Sequence, residues 1–226
     1  MESMVAAVVL AGGRSSRMGR DKALLTLPDG RTALGAVLDA AAAVASPVLL
    51  AVDTAEHLAL LRPALGDREV RLLLDDQPGS GPLAVLARAL SVSTAPLLLA
   101  LAVDMPLLRP ELLRLLADRL IADLERGDLA VVPRVGGVEQ LLCAAYAATL
   151  APRVEAALAM GRRDLRALFL GPGIRFLDEQ GLRAVDPDLR SFASANTPEE
   201  WVAMLRSFRE YEGGGQLWGT LSEADT

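Results

Sequence analysis

Residues 5–25 read VAAVVLAGGRSSRMGRDKALL, an apolar run followed by a turn that is rich in glycine and positive charge. An apolar run without polar alternation that stops at two glycines is typical of a strand buried on both faces. Gly12 and Gly13 allow the backbone to pass close to a ligand and to expose its amide groups. The stretch therefore predicts a first strand, Val5–Leu10, that delivers a binding loop at its carboxyl end.

This loop contains Lys22, which is the only lysine among the 23 lysines and arginines of the chain. A lysine ammonium is a compact point charge on a flexible stem, and arginine does not replace it where one phosphate oxygen must be reached. Arg14 and Arg17 bring two more positive charges to the loop. We therefore predict an anion-binding loop in which Arg14, Arg17 and Lys22 supply the positive charge, with Lys22 as the first candidate for a phosphate contact. The alternative is an ordinary glycine turn with solvated arginines. The spacing fits neither a Walker A loop nor a dinucleotide fingerprint.

Composition limits the class of protein. The chain has 226 residues, 52% hydrophobic and only 4% aromatic, which is enough for one α/β domain with a core of Leu, Val and Ala. The net charge of -6 and the pI near 4.9 argue against a nucleic-acid polymer as partner, because binding a phosphate backbone requires a basic surface. Any phosphate ligand is expected to be small.

Signals for secretion or membrane insertion are not recognisable in the sequence. The beginning, MESMVAAVVLAGG, carries an acid where a signal peptide has basic residues, and residues 95–103 are too short to span a bilayer. The lone Cys143 excludes an internal disulfide. We expect no membrane partner and a cytoplasmic location.

Short apolar runs alternate with helical stretches along the chain. The predicted strands are residues 5–10, 48–52, 70–74, 97–103 and 129–133. The predicted helices are residues 33–45, 55–61, 83–91, 110–126, 152–161 and 198–208. This alternation predicts an α/β fold with a doubly wound, mostly parallel, Rossmann-like sheet between two helical layers. We expect one domain over residues 1–210 and a flexible tail over residues 211–226.

Acidic residues follow two later strands. Asp75 and Asp76 come after the third predicted strand, and Asp104 comes after the fourth. Since ligands of doubly wound sheets bind at the carboxyl ends of the strands, we expect these acids and the first turn to face one crevice. A carboxylate at a strand end can hold Mg²⁺, which prefers oxygen ligands and phosphates. The alternative for Asp104 is to cap the turn made by Met105 and Pro106.

The motif LAGG, RMG and DK followed by apolar residues resembles the signature of the molybdenum cofactor guanylyltransferase family of nucleotidyltransferases. Three later segments extend the resemblance. Residues 75–83, DDQPGSGPL, resemble the family's nucleotide-binding acid and GPL turn, residues 103–106, VDMP, its metal-binding acid, and residues 195–199, ANTPE, its closing NTPE element. The resemblance spans residues 5–205, and the double glycine favours guanylyl over cytidylyl transfer.

The resemblance also implies roles for individual residues. Those implied to contact the nucleotide are Leu10, Ala11, Gly12, Gly13, Lys22, Asp53, Asp75, Gly81 and Asp104. Arg17 is implied to lie near the phosphates, and Mg²⁺ to be held by Asp104 and Asn196. Asn196 has an alternative role as the cap of the helix that begins at Pro198.

The sequence departs from the family pattern at two positions near these residues. Relatives often have an asparagine at the position of Asp53, and the family's first asparagine before NTPE is Ser194 here, which leaves the acceptor in question. Arg162 or Arg163 is a candidate contact for the acceptor phosphate, and its alternative is ordinary solvation.

The implied reaction is Mg²⁺-dependent transfer of GMP from GTP to the terminal phosphate of molybdopterin or its molybdenum-loaded form, with release of pyrophosphate. The resemblance further implies transient contact with proteins that mature molybdoenzymes. Alternatives are a related cytidylyltransferase, a sugar-phosphate nucleotidyltransferase, or a non-catalytic nucleotide-binding adaptor. An ionised phosphate needs no general base, so we expect His57, the only histidine, to be a surface or packing residue.

Overall fold

The computed structural model describes residues 3–12, 21–74, 79–195 and 197–212, the last six of these by their backbone alone. Its strands are β1 (Val5–Leu10), β2 (Val48–Val52), β3 (Arg71–Leu74), β4 (Leu97–Ala102), β5 (Ala130–Val135), β6 (Val138–Glu139), β7 (Cys143–Ala147) and β8 (Ile174–Leu177). Its α-helices are α1 (Ala33–Ala42), α2 (Ala55–Leu65), α3 (Pro82–Val92), α4 (Pro110–Asp123), α5 (Ala151–Ala159), α6 (Glu179–Leu182) and α7 (Pro198–Glu212). Short 3-10 helices occupy Lys22–Leu24, Leu124–Arg126, Ala148–Leu150, Leu165–Leu170 and Arg190–Phe192.

All eight strands form one mixed sheet. Its order is β3-β2-β1-β4-β7-β5-β6, and β8 pairs with β5. The half formed by β3, β2, β1 and β4 is parallel throughout, whereas β7 runs antiparallel to both β4 and β5. The predicted α/β fold with a mostly parallel sheet is therefore confirmed. The strands β6, β7 and β8 were not predicted.

The register of the parallel half brings several strand ends to one edge. Leu10 pairs with Ala51 on β2 and with Ala102 on β4, and Val52 pairs with Leu74 on β3. The residues that follow these four strands consequently emerge side by side. This carboxyl edge of the sheet is the place where ligands bind in doubly wound folds.

The core lies on both faces of the sheet. Alternate residues of β1 and β4 point to opposite sides, as strand geometry requires. One apolar layer packs against α1, α2 and α4, and the other packs against α3 and α5. The three-layer arrangement predicted from the sequence is thus present, and it buries the strands on both faces.

Hydroxyl side chains cap three of the helices. Thr32 accepts from the backbone N–H of Gly35 at the start of α1, and Thr54 accepts from that of His57 at the start of α2. At α7 the cap is Thr197, whose Oγ1 accepts from the N–H of Glu200 at 3.2 Å. Such caps satisfy amides that have no partner within the helix.

Many element boundaries differ from the sequence-based expectation by one to four residues, and the differences are largest at the ends of α2 and α7. α2 continues to Leu65 although Pro63 lies inside it, and α7 passes the predicted domain boundary at residue 210. Residues 213–226 lie outside the described residues, so the flexible tail stays a prediction. Among the helices of the described ranges, none has the length and apolar character that a membrane span requires.

Candidate active site

The end of β1 reaches the carboxyl edge between the ends of β2 and β4. The N–H of Ala11 donates to the carbonyl of Ala51 at 2.9 Å, and the N–H of Val103 donates to the carbonyl of Leu10 at 3.2 Å. Gly12 then lies against the turn after β2, because a Cβ added to it would be 3.8 Å from Cβ of Asp53. Leu10, Ala11, Gly12 and Asp53, all predicted to contact nucleotide, are therefore neighbours.

Lys22 begins a 3-10 helix, Lys22–Leu24, and the side chain of Asp21 caps its start. One oxygen of Asp21 accepts from the N–H of Ala23 at 2.9 Å. Ala23 is fully buried and belongs to the core layer beneath α1 and α2. The buried alanine fixes the turn, and the lysine beside it points its ammonium across the end of the sheet.

The ammonium of Lys22 meets the carboxylate of Asp104. Nζ lies 3.3 Å from Oδ2, and the two side chains are 16% and 32% exposed. Asp104 comes two residues after β4, so the pair joins the first turn to the end of the fourth strand. These two groups therefore lie together at the carboxyl edge, whereas Asp75 and Asp76, expected beside them, lie outside the described residues. The pair offers a positive and a negative group to a ligand at a partly open site.

His57 was expected to be a surface or a packing residue, and the structure contradicts the first of these alternatives. Its imidazole is only 9% exposed, with Nδ1 2.6 Å from Oδ1 of Asp53 and Nε2 2.5 Å from Oδ2 of Asp21. Burial acts to lower the pKa of His57, but the hydrogen bonds and charges of Asp53 and Asp21 outweigh it, so the pKa is raised. We call these three residues the carboxylate–imidazole bridge.

The start of α3 forms the other described part of this region. Gly81 has a φ of +85°, and a Cβ at this position would lie 2.7 Å from the carbonyl oxygen of Arg163. That oxygen accepts from the N–H of Leu83 at 3.1 Å, and the Arg163 guanidinium donates to the carbonyl of Gly79 at 3.4 Å. Glycine is required at position 81 both by the positive φ and by the close approach of the segment that contains Arg163.

The family described as the MobA-like NTP transferase domain matches residues 7–173. The chain belongs to this family. A MobA-like NTP transferase is a nucleotidyltransferase, so the chain is an enzyme, and the resemblance seen in the motifs is confirmed.

Similar proteins cover nearly the whole of this NTP transferase. A probable molybdenum cofactor guanylyltransferase from Methanosarcina mazei is 32% identical over 217 residues, 93% of this chain and 94% of that protein. A protein of the same name from Mycobacterium tuberculosis is 34% identical over 197 residues, 85% and 89% of the two chains. The crystal structure of molybdopterin-guanine dinucleotide biosynthesis protein A from Archaeoglobus fulgidus has a TM-score of 0.73 at 23% identity, covering 91% of this chain and 99% of that chain. That likeness shows the same fold.

Several predicted site residues of the NTP transferase lie outside the described residues. They are Gly13, Arg17, Asp75 and Asn196, and their roles stay predictions. Within the described ranges, no group of three or more acidic, histidine or cysteine side chains could hold a metal ion. Of the predicted metal ligands, the structure therefore describes only Asp104.

The sequence did not identify the carboxylate–imidazole bridge of this NTP transferase. Two signals were available: Asp53 and His57 are four residues apart at the start of a helix, and Asp21 precedes the lysine. The contact between His57 and Asp21 spans 36 positions of sequence, however, and only the fold brings the two residues together.

Proposed function

We propose that this nucleotidyltransferase transfers GMP from GTP to the terminal phosphate of molybdopterin, or of its molybdenum-loaded form, and releases pyrophosphate. Support for the donor and the acceptor comes from the relatives, which are named probable molybdenum cofactor guanylyltransferases and match over most of their length. Support for the chemistry comes from the described residues at the carboxyl edge of the sheet.

One observation carries the proposal, namely the ion pair between Lys22 and Asp104 at 3.3 Å. Transfer of a nucleotidyl group requires positive charge against the phosphates and a carboxylate where a metal–phosphate complex can reach it. Lys22 is the only lysine of the chain and points to this edge, and Asp104 remains one-third exposed beside it. An adaptor that only binds nucleotide has no need of this acid.

The reaction proceeds by in-line displacement. An oxygen of the acceptor's terminal phosphate forms a bond to the α-phosphorus of GTP, while the bond from that phosphorus to the oxygen bridging to the β-phosphate breaks. The electron pair leaves with pyrophosphate. Because the attacking phosphate is already ionised near neutral pH, no side chain has to remove a proton. The protein's part is to position two polyanions and to stabilise negative charge.

Asp104 suits a role as a Mg²⁺ ligand. Mg²⁺ is normally bound by one or two carboxylates together with substrate phosphates and water, so one exposed carboxylate at a phosphate site is sufficient. Oδ2 of Asp104 pairs with Lys22 at 3.3 Å. When bound, the ion would neutralise charge on the phosphates. Lys22 would hold a phosphate oxygen next to it, and Arg17 would add charge from the first turn.

Nucleotide selectivity tests the donor. Thermal unfolding is measured with Mg²⁺ and saturating GTP, CTP, UTP or dTTP, and with guanosine as the control that lacks phosphates. A ligand present at about a hundred times its Kd stabilises the native state by about 2.7 kcal/mol. We expect GTP to raise the Tm most and guanosine to leave it nearly unchanged. A larger shift with CTP would instead assign the chain to cytidylyl transfer.

Turnover tests the acceptor. Pyrophosphate release from GTP is measured with and without molybdopterin, with a sugar phosphate as the comparison acceptor. We expect release that depends on molybdopterin and yields a guanine dinucleotide product. Release that depends on the sugar phosphate alone would contradict the proposed acceptor, and binding of GTP without turnover in any mixture would support the adaptor alternative.

A further inference from the structure

The carboxylate–imidazole bridge connects two parts of the site that the sheet itself does not join. Asp53 directly follows β2, and Asp21 caps the 3-10 helix that begins with Lys22. His57 reaches both through its two ring nitrogens at 2.6 and 2.5 Å. Its backbone N–H makes a separate bond, which caps α2, to Oγ1 of Thr54 at 3.0 Å. The imidazole thus fastens the lysine turn to the strand edge.

Asp21 uses its two oxygens for two different purposes. Oδ1 accepts from the N–H of Ala23 and so shapes the turn, while Oδ2 faces the imidazole. A shift of this carboxylate would therefore move the next residue, Lys22, whose Nζ lies 3.3 Å from Asp104. The contacts form a continuous path from the end of β2 through His57 and the lysine turn to the end of β4.

The two carboxylates define the protonation state of the His57 imidazole. Carboxylates only accept hydrogen bonds, so short contacts at both ring nitrogens require two N–H donors, which is the imidazolium form. The charged groups facing the ring among the described residues are Asp53 and Asp21; Lys22 follows Asp21 in sequence, and Asp104 pairs with that lysine. With the ring charged, the bridge carries one net negative charge. With a neutral ring the bridge would carry two negative charges, close to the proposed site for a triphosphate.

We propose that His57 is a positioning residue of the nucleotidyl transfer reaction, which holds the ammonium of Lys22 in place through Asp21 and uses Asp53 as its anchor. This inference rests on the proposed function, since it assigns Lys22 a phosphate contact. His57 itself touches no substrate. Its effect passes through the lysine, so removal of the lysine must also remove the effect of the histidine.

A double-mutant cycle tests this coupling. The variants His57→Gln, Lys22→Ala and the double variant are compared by kcat/KM for GTP with molybdopterin. We expect His57→Gln to lower kcat/KM about tenfold, since small displacements of a positioning group have effects of this order or larger. Lys22→Ala should lower it about a hundredfold, and the double variant should match Lys22→Ala within about twofold. A double variant about a thousandfold below wild type would overturn the positioning role.

A matched control separates positioning from helix stability. Thr54→Ala removes the cap of α2 and the bond to the backbone of His57, but leaves the imidazole and its two carboxylates in place. We expect this variant to lose stability while its kcat/KM stays within about twofold of wild type. If Thr54→Ala is as impaired as His57→Gln, the activity follows the stability of α2 and the proposal fails.

Two measurements keep the test decisive if His57→Gln does not fold. Asp21→Asn preserves a good helix cap and weakens the bridge, and it should show a several-fold loss that also disappears in the Lys22→Ala background. In the wild type, a ¹⁵N NMR pH titration of the single histidine should show both ring nitrogens protonated up to a higher pH than in a free imidazole, whose ordinary pKa is 6.5. Half-titration of the ring at or below that ordinary pKa would overturn the bridge.

The proposed function can fail separately from this inference. If Lys22→Ala turns over GTP at the wild-type rate, the phosphate contact of the lysine is wrong, and the positioning role falls with it. If Lys22→Ala is impaired but the effects of the two substitutions multiply, only the positioning role is wrong.

Discussion

The Nζ atom of Lys22 lies 3.3 Å from Oδ2 of Asp104, although 82 positions of sequence separate the two residues. β1 and β4 are neighbours in the sheet, and Leu10 pairs with Ala102 at their ends. The adjacency of two strands that are far apart in the chain thus creates the pair. Its two charged groups remain partly exposed, so each of them can exchange its partner for a charged group of a ligand.

Replacing the lysine by alanine tests its contribution to the transition state. We expect Lys22→Ala to lower kcat by about a hundredfold or more, because removal of one preorganised donor costs about 2 to 4 kcal/mol of transition-state stabilisation. Steady-state kinetics and circular dichroism measure activity and folding together. Arg71→Ala is a suitable control, since Arg71 is an exposed cation at the opposite end of the sheet. Similar rates in both variants would remove Lys22 from the mechanism.

Replacing the lysine by arginine tests the shape of the cation. Lys22 is only 16% exposed, and the planar guanidinium cannot take the position of a compact ammonium in a tight turn. We expect Lys22→Arg to recover less than about a tenth of wild-type kcat/KM despite its retained charge. Full recovery would show that the site requires charge alone.

Asp104→Asn tests the proposed metal ligand. The substitution keeps the size of the side chain and removes its charge, so we expect kcat to fall about a hundredfold and the Mg²⁺ concentration for half-maximal rate to rise. Stability should change by less than about 1 kcal/mol, because the ion pair with Lys22 is partly exposed. Asp118→Asn, on an exposed position of α4, provides the control. An unchanged Mg²⁺ dependence would argue against metal binding by Asp104.

Continuous apolar runs made the parallel half of the fold predictable, whereas β7 was not predictable. Its sequence, CAAYA, is rich in alanine and has weak strand propensity. It becomes a strand because β4 and β5 pair with it on both sides. Local sequence does not encode a strand that depends on such tertiary pairing.

The candidate site was likewise only partly predictable from the sequence. Lys22 and Asp104 were identifiable because each follows an apolar run whose end faces the ligand edge. His57 was expected to be a surface or packing residue, yet its ring contacts two carboxylates. The residues next to a histidine in sequence do not reveal a partner that comes from a different loop.

The bridge also predicts a pH dependence of stability. The pKa of His57 is raised in the folded protein above its ordinary value of 6.5, so the imidazolium stabilises the native state fully below that value. This stabilisation is lost as the pH rises through the folded-state pKa. We expect the free energy of unfolding in urea to fall over that range in the wild type and to change less in His57→Gln. Because the chain has one histidine, no other imidazole contributes. Parallel curves for the two proteins would contradict a raised pKa.

Gly81 and Gly79 form a matched pair for testing the start of α3. Both have a φ of +85°, but a Cβ at Gly81 would lie 2.7 Å from the carbonyl oxygen of Arg163, while no atom of the described residues lies within 4 Å of one at Gly79. We expect Gly79→Ala to cost about 1 kcal/mol through backbone strain alone. Gly81→Ala should cost at least about 1 kcal/mol more, because the clash forces apart two backbone segments. Urea unfolding of both variants measures the difference. Equal losses in the free energy of unfolding would mean that the segment around Arg163 moves aside at no cost in stability. In that case Gly81 is required only for its φ, and the hydrogen bond from Leu83 to Arg163 does not hold the start of α3 in place.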